Sequence, residues 1–306
     1  MTVERAAPLV LASRGQLDLE ATLDGGQAFG WYREGEAYRG VLGREVVVLR
    51  HTARGIVAES PYGTLPPSIE DQLTRYLDLT ACAFGFDAFR ARYLRDECLG
   101  YALREWPGLR LLRQDPWECL VAFLTSATSN IPRIKLNIGS LVRALGDRVG
   151  PGVQDFAFPA PDRIAAAGEA ELRRLGFGFR AKYIASAAEA AVSGQLALQP
   201  LETMPYQQAR NELTRLDGVG EKIADCVLAF SLHHHEAFPI DRWTRRALEA
   251  WYSMPASFNP SDAARWARDR FGADAAYVQQ YLFHRQRLSA RTRAATDRSA
   301  LAQQDG

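Results

Sequence analysis

The chain is poor in lysine. Of its 37 basic residues, only Lys135, Lys182 and Lys222 are lysines, and the rest are arginines. A lysine therefore stands at about one position in a hundred, and its rarity makes each one informative. The excess of arginine and alanine looks like a high-GC, bacterial coding sequence. Long apolar runs are also missing, and none approaches the ~20 residues that cross a bilayer. The segment from Met1 to Arg14 lacks the apolar stretch of a secretory signal. Cysteine is scarce and scattered, at Cys82, Cys98, Cys119 and Cys226. That spacing supplies no CxxC zinc pair and no clustered iron–sulfur signature; it predicts reduced thiols in a cytosolic protein. The formal charge of +1 is nearly balanced, so net charge alone points to no polyanionic partner. What is present is 47% hydrophobic and 24% charged residues in a chain of 306. That is globular composition, at a length that suits two or three domains.

Residues 15–60 alternate and turn like antiparallel strands, with β-rich runs at Ala37–Leu42, Glu45–Leu49 and Ile56–Ala58. The proline-rich stretch Pro61–Pro67 interrupts this pattern, and helical spacing follows from Ser68. Asp115-Pro116-Trp117-Glu118 predicts a sharp helix start, with Asp as cap, Pro in the first turn and Glu closing a capping box. That helix is expected to stop between Ser126 and Asn130, ahead of Pro132. Ile134, Ile138, Leu141, Val142 and Leu145 share one face of the next helix, which Gly146 ends. Further helices are predicted at Glu169–Leu175, Arg180–Val192, Tyr206–Leu216, Lys222–Leu232, Arg242–Trp251, Ala263–Phe271 and Ala275–Leu288. The expected fold class is α+β. An antiparallel-sheet domain with helices spans residues 1–112, an all-helical domain spans 113–290, and a polar, frayed tail covers 291–306.

The sharpest motif is Leu216-Asp217-Gly218-Val219-Gly220-Glu221-Lys222. One helix ends, two glycines turn the chain, and another helix begins. Such a turn directs backbone N–H groups outward beside a positive helix N-terminus, which suits a DNA phosphate without reading sequence. The glycines are expected because a Cβ would hinder both the turn and the close approach. Taken alone, Gly-x-Gly fits a plain helix–helix connection equally well. Lys222 falls in the first turn of the new helix, where the dipole disfavours an ammonium. A neutral amine is a nucleophile that can form a Schiff base at a sugar carbon. Nineteen residues on, Phe238-Pro239-Ile240-Asp241 places an acid where it can cap the helix from Arg242. The same carboxylate could face the oxocarbenium-like cation that develops when an N-glycosidic bond breaks.

Together these residues resemble the helix-hairpin-helix DNA glycosylase superfamily. The run Leu216-Asp217-Gly218-Val219-Gly220-Glu221-Lys222-Ile223-Ala224-Asp225-Cys226 is similar to its 8-oxoguanine DNA glycosylase branch. Four more motifs follow that branch in order, over roughly Leu17 to Leu288. Gly25-Gly26-Gln27-Ala28-Phe29-Gly30-Trp31 resembles its Ser/Gly-Gly-Gln-x-Phe-x-Trp. Asp115 to Arg133 resembles its DNA-wedging helix and loop. Leu175-Gly176-Phe177-Gly178-Phe179-Arg180-Ala181-Lys182-Tyr183 resembles its Leu-Gly-x-Gly-Tyr-Arg-Ala-Arg-Tyr, and Tyr277-Val278-Gln279-Gln280-Tyr281-Leu282-Phe283 its C-terminal base-pocket helix.

The resemblance implies a TATA-binding-protein-like N-terminal sheet and a role for each matching residue. Lys222 would attack C1′ of a damaged nucleotide, and Asp241 would support it. Gly26 would offer its carbonyl to the N7–H that distinguishes 8-oxoguanine from guanine. Cys226 and Phe283 would sandwich the flipped base and Gln279 would bond its Watson–Crick edge, although ordinary core packing explains the first two equally well. Asn130, Arg133 and Arg180 would enter the gap or contact the orphaned cytosine, with Phe179 wedging beside it. Gly218 and Gly220 would hold the DNA backbone. Where the branch often has three asparagines, this chain reads Thr128-Ser129-Asn130, so weaker opposite-base selectivity is expected. Trp243 stands where a histidine is usual, which puts one phosphate contact in doubt.

The implied partner is double-stranded DNA containing oxidised guanine, met by a monomer in the bacterial cytoplasm at the nucleoid. No cofactor is implied beyond a monovalent cation at the hairpin. His233-His234-His235 is not expected to bind metal, because adjacent loop histidines diverge. The arginines of Arg285 to Arg293 fit phosphate tracking or a solvated helix end equally. Three rival functions stand beside this one. A monofunctional alkylpurine glycosylase would not need Lys222. A non-catalytic helix-hairpin-helix module would need neither Lys222 nor Asp241. An endonuclease III-like iron–sulfur enzyme is disfavoured by the cysteine spacing.

Overall fold

The computed structural model describes residues 8–12, 16–79 and 85–304, with side chains described as far as residue 289. Cys82 and the side chains of Arg291 and Arg293 lie outside these residues. A five-stranded antiparallel sheet has the order β1-β5-β4-β3-β2. Its strands are β1 (Leu9–Ala12), β2 (Tyr32–Glu34), β3 (Ala37–Leu42), β4 (Glu45–Thr52) and β5 (Gly55–Glu59). The predicted strands are present, but residues 15–60 are not all extended. Leu19–Leu23 is a short helix, α1, because Asp18 accepts a hydrogen bond from the Ala21 N–H at 2.9 Å and caps it. The sheet buries Tyr38, Val47, Leu49, Ile56 and Ala58 against Trp31, Leu73 and Leu112. Trp31 donates its indole N–H to the Tyr76 hydroxyl at 2.8 Å.

The helices are α2 (Ser68–Tyr76), α3 (Phe86–Tyr93), α4 (Leu99–Glu105), α5 (Pro116–Thr125), α6 (Ile131–Leu145), α7 (Pro161–Arg174), α8 (Ala181–Val192), α9 (Tyr206–Thr214), α10 (Glu221–Phe230), α11 (Arg242–Tyr252), α12 (Pro260–Phe271) and α13 (Ala275–Gln304). They enclose a larger core, which also takes in Phe86, Phe89, Leu99 and Leu103 from α3 and α4. Several helix ends differ from expectation, and α12 begins at Pro260, ahead of Ala263. The helix expected from Glu169 is the second half of α7, whose first half begins at Pro161; Gly168 breaks the two at φ 70° and ψ 177°. The last helix continues to Gln304, past the end of its apolar spacing at Leu288. At α5, Asp115 accepts from the N–H groups of Trp117 and Glu118, but Glu118 does not return the bond. Its carboxyl lies instead beside Gly30, where an added Cβ would come within 3.1 Å of Oε1. Burial there pushes the Glu118 carboxyl up to about 8.

Candidate active site

One cavity of about 1130 Å³ opens between α5, the loop into α6, α10, the start of α11 and α13. Six residues that the sequence singled out from four separate segments line it: Gly26, Lys222, Cys226, Asp241, Gln279 and Phe283. Their positions follow from local structure. The N-cap of α10 is Gly220, and no side chain caps this end, so Lys222 rises from the first helical turn. Its Nζ lies 3.3 Å from Ser126 Oγ and 5.3 Å from the centre of the Phe123 ring. One turn on, Cys226 is 2% exposed. Burial raises its thiol to about 12, with Lys222 opposing the shift, so the Cys226 thiol is held neutral.

Asp241 is both a helix cap and a cavity residue. Its Oδ1 accepts from Trp243 N at 2.9 Å, Thr244 N at 2.8 Å and Thr244 Oγ1 at 3.0 Å. Thr244 Oγ1 accepts from the Asp241 N–H at 2.9 Å and closes a capping box. The capping reading of Asp241 is therefore correct, and it fixes the carboxylate that faces the cavity. Across the cavity Gly26 has φ +87°, and an added Cβ would meet Ile131 at 2.8 Å and the Phe283 ring at 3.0 Å. Its neighbours in the motif are struts. Gln27, fully buried, bonds Thr22 O, Arg110 O and Leu112 N. Gln280 donates to Gly25 O at 3.1 Å. Gln279 is 4% exposed, and its Oε1 has no hydrogen-bond partner. A buried acceptor left in this state costs on the order of 1–3 kcal/mol, unless something in the cavity donates to it.

Sequence matches agree with this geometry. Residues 9–120 match the model of the 8-oxoguanine DNA glycosylase N-terminal domain, and residues 121–271 that of the HhH-GPD superfamily base excision DNA repair protein. The probable N-glycosylase/DNA lyase of Methanothermobacter thermautotrophicus is 31% identical across 90% of this chain and 95% of its own length. The chain belongs to the 8-oxoguanine DNA glycosylase family. The N-glycosylase/DNA lyase OGG1 of Arabidopsis thaliana is 33% identical, over 88% of this chain and 77% of its own. The 8-oxoguanine glycosylase/lyase of Clostridium acetobutylicum, solved with double-stranded DNA containing cytosine opposite 8-oxoG, superposes with a TM-score of 0.83. It is 28% identical, over 90% of this chain and 93% of its own.

In this member of the family, the wedge loop follows α5. Thr128 has φ +51°, an uncommon conformation for a β-branched residue. Asn130 caps α6, its Oδ1 accepting from Arg133 N at 3.0 Å. Arg180 does not point outward with Arg133. It donates from Nε to Ala127 O at 2.6 Å and from Nη2 to Thr128 O at 2.9 Å, bracing the loop. Arg133 is exposed, and Phe179 is 48% exposed beneath the Arg180 guanidinium at 4.7 Å. Trp243 lines the cavity between Arg242 and Arg246, whose guanidinium carbons lie 4.6 Å and 5.8 Å from its ring.

The hairpin glycines differ from each other. Gly218, at φ +82°, lies on the Tyr183 ring, 2.4 Å from where a Cβ would sit. Gly220 has an ordinary φ of −85° and open space around it. Only Gly218 is demanded by the turn; the turn itself does not require glycine at Gly220. Behind the hairpin, buried Asp225 accepts from the Tyr206 hydroxyl at 2.7 Å and faces Arg210 Nε at 3.4 Å, tying α10 to α9. Burial raises Asp225 from its usual 3.8 to about 6, with Arg210 opposing the shift.

Several cavity residues carried little sequence signal. Phe123 and Phe230 stood only inside predicted helices, and Ser126 at the end of one. Arg287 was one of the two-way arginines. It is 8% exposed, lines the cavity and donates to Asp24 O at 2.9 Å. Arg285 bonds the Cys98 carbonyl and stacks between Tyr101 and Trp251 at 4.7 Å and 4.3 Å. Both pack against the protein, Arg287 buried and Arg285 half-buried. Burial lowers His233 and His235 to about 4, and His234 bonds Leu201 O at 2.8 Å. No cluster of metal-binding side chains occurs among the described residues, nor is any described helix long and apolar enough to cross a membrane.

Proposed function

We propose that this protein is a bifunctional DNA glycosylase and AP lyase of base excision repair, acting on 8-oxoguanine in duplex DNA. The observation that carries the reading is the convergence of Lys222, Asp241, Gly26, Cys226, Gln279 and Phe283 on one cavity, within this family. The everted base enters between Cys226 and Phe283, because C1′ is shielded inside a duplex. The Gly26 carbonyl accepts the N7–H of 8-oxoguanine, where guanine would present a lone pair against it. Gln279 Oε1 takes a donor from the Watson–Crick edge. Arg133, Phe179 and Asn130 face the gap left by the base. The hairpin from Gly218 to Gly220 and the start of α11 at Trp243 face the strand.

Lys222 Nζ attacks C1′ as the N-glycosidic bond breaks, and the base leaves with the bonding pair and takes up a proton. Asp241 stabilises the developing cation. Ring opening gives a protonated imine, and loss of a C2′ proton expels the 3′ phosphate, nicking the strand. The alkylpurine and non-catalytic readings give Lys222 no part. We place the enzyme in the cytoplasm with the DNA, working as a monomer on residues 1–112 and 113–290. The deciding experiment mixes the protein with an 8-oxoguanine·cytosine duplex and sodium borohydride. A covalent adduct is expected, absent in Lys222→Gln. Equal base release and nicking by that variant would overturn the proposal.

A further inference from the structure

Ser126 has no assigned part in this chemistry, yet its hydroxyl oxygen accepts from the Lys222 amine at 3.3 Å, an amine that also bonds the Cys226 thiol. It caps the C-terminus of α5, and its own hydroxyl hydrogen is committed to the Phe123 carbonyl at 2.7 Å. Ser126 Oγ can therefore only accept from Nζ. An amine that gives an N–H to this oxygen keeps its lone pair for the cavity. Phe123, one turn earlier, places its ring under the same amine at 5.3 Å. That ring is fixed between Phe230, stacked at 5.6 Å, and Phe29, edge-on at 5.7 Å. Ring and hydroxyl, three residues apart on α5, form a seat that restricts a flexible side chain.

The seat is also the first residue of the wedge loop. The next two carbonyls, Ala127 O and Thr128 O, are the ones that Arg180 grips. Only one residue, Ala127, separates Ser126 from the strained Thr128.

We infer that Ser126 is a positioning residue for Lys222: it accepts an N–H of the amine, aims the lone pair into the cavity, and joins the nucleophile to the wedge loop. The inference rests on Lys222 being the nucleophile. Orientation is where the effect should appear, since misplacing a reacting group by about 1 Å can cost up to ~100-fold in rate.

The test compares Ser126→Ala and Ser126→Thr with the unaltered protein, using an 8-oxoguanine·cytosine duplex. Dissociation constants and single-turnover base release at saturating protein are measured separately, with thermal unfolding to establish that both variants fold. In Ser126→Ala, base release and borohydride capture should each fall ~10-fold or more, with affinity within about twofold. Ser126→Thr keeps the hydroxyl and should recover most of the rate. Three results would overturn the inference: an unchanged saturating rate in Ser126→Ala, a loss confined to affinity, or an equal loss in folded Ser126→Thr. Failure of the unaltered protein to form any adduct would instead overturn the nucleophile assignment itself.

Discussion

Two turns lead helices into the same cavity, and they are built in opposite ways. The hairpin, residues 215–220, turns at Gly218 with φ +82° and enters α10 with no side-chain cap. The wedge loop, residues 126–130, turns at Thr128 with φ +51° and enters α6 under the Asn130 cap. Glycine adopts the left-handed region at almost no cost, whereas a β-branched residue there loses roughly 1–2 kcal/mol. The hairpin enters its helix with no side chain on the first N–H groups, whereas the loop caps its own. One turn is made without strain; the other is held by Arg180 in a sparsely populated backbone conformation.

The sharpest way to break this contrast is Gly218→Ala. Its Cβ falls 2.4 Å from the Tyr183 ring, in a left-handed backbone. A loss of about 2–3 kcal/mol is expected from overpacking and strain, read from the urea midpoint, with weaker DNA binding alongside.

The hairpin's brace should next appear as a pH dependence. Asp225 is raised by burial to about 6 in the folded chain, above its usual 3.8. Protonation is thus favoured by folding, and this contribution is complete below about pH 4. It is lost as the pH rises through about 6. Unfolding of the unaltered chain and Asp225→Asn, followed from pH 4 to 7, should show the former losing stability relative to the latter. Parallel curves would remove the brace from the comparison.

Thr128→Asn should act in the opposite direction from Gly218→Ala. Asparagine tolerates the left-handed region, so a gain of about 1 kcal/mol is expected in the same urea measurement. An added amide should also sharpen the preference for cytosine. Excision ranked against all four opposite bases checks this, and strict cytosine dependence in the unaltered chain would refute the expectation.

Gly220→Ala should do least to the fold. With ordinary φ and open space, its effect on stability should stay within about 0.5 kcal/mol. A fall in DNA affinity without a fall in urea midpoint would show that this glycine serves the ligand and Gly218 the turn.

Much of this contrast was legible in the residues. The dense motif at Gly218–Lys222 and the extended approach to Asp241 mark a turn, a helix start and a cap by local rules, and local rules need no tertiary information. The sheet runs were legible for the same reason. Short-range reading failed where a side chain chose a distant partner over a near one. Glu118 faces Gly30 instead of closing its own helix. Arg285 and Arg287 look like a basic stripe, but they bond Cys98 O and Asp24 O. The Leu19–Leu23 helix was hidden inside alternating text because a single Asp18 cap decides it.

By itself, then, the sequence determined the two-part α+β plan, the hairpin, and the place of Lys222 and Asp241 at two helix starts, because periodicity, capping and glycine conformation are properties of neighbouring residues. The tertiary structure alone decided that Gly26, Ser126, Cys226, Gln279 and Phe283 share one cavity with that amine. It also decided that Arg180 grips the loop, that Gln279 is left with an unbonded oxygen, and that Ser126 holds Lys222. Those facts join segments up to some 250 residues apart, and only the packing of the whole chain brings such segments within hydrogen-bonding distance.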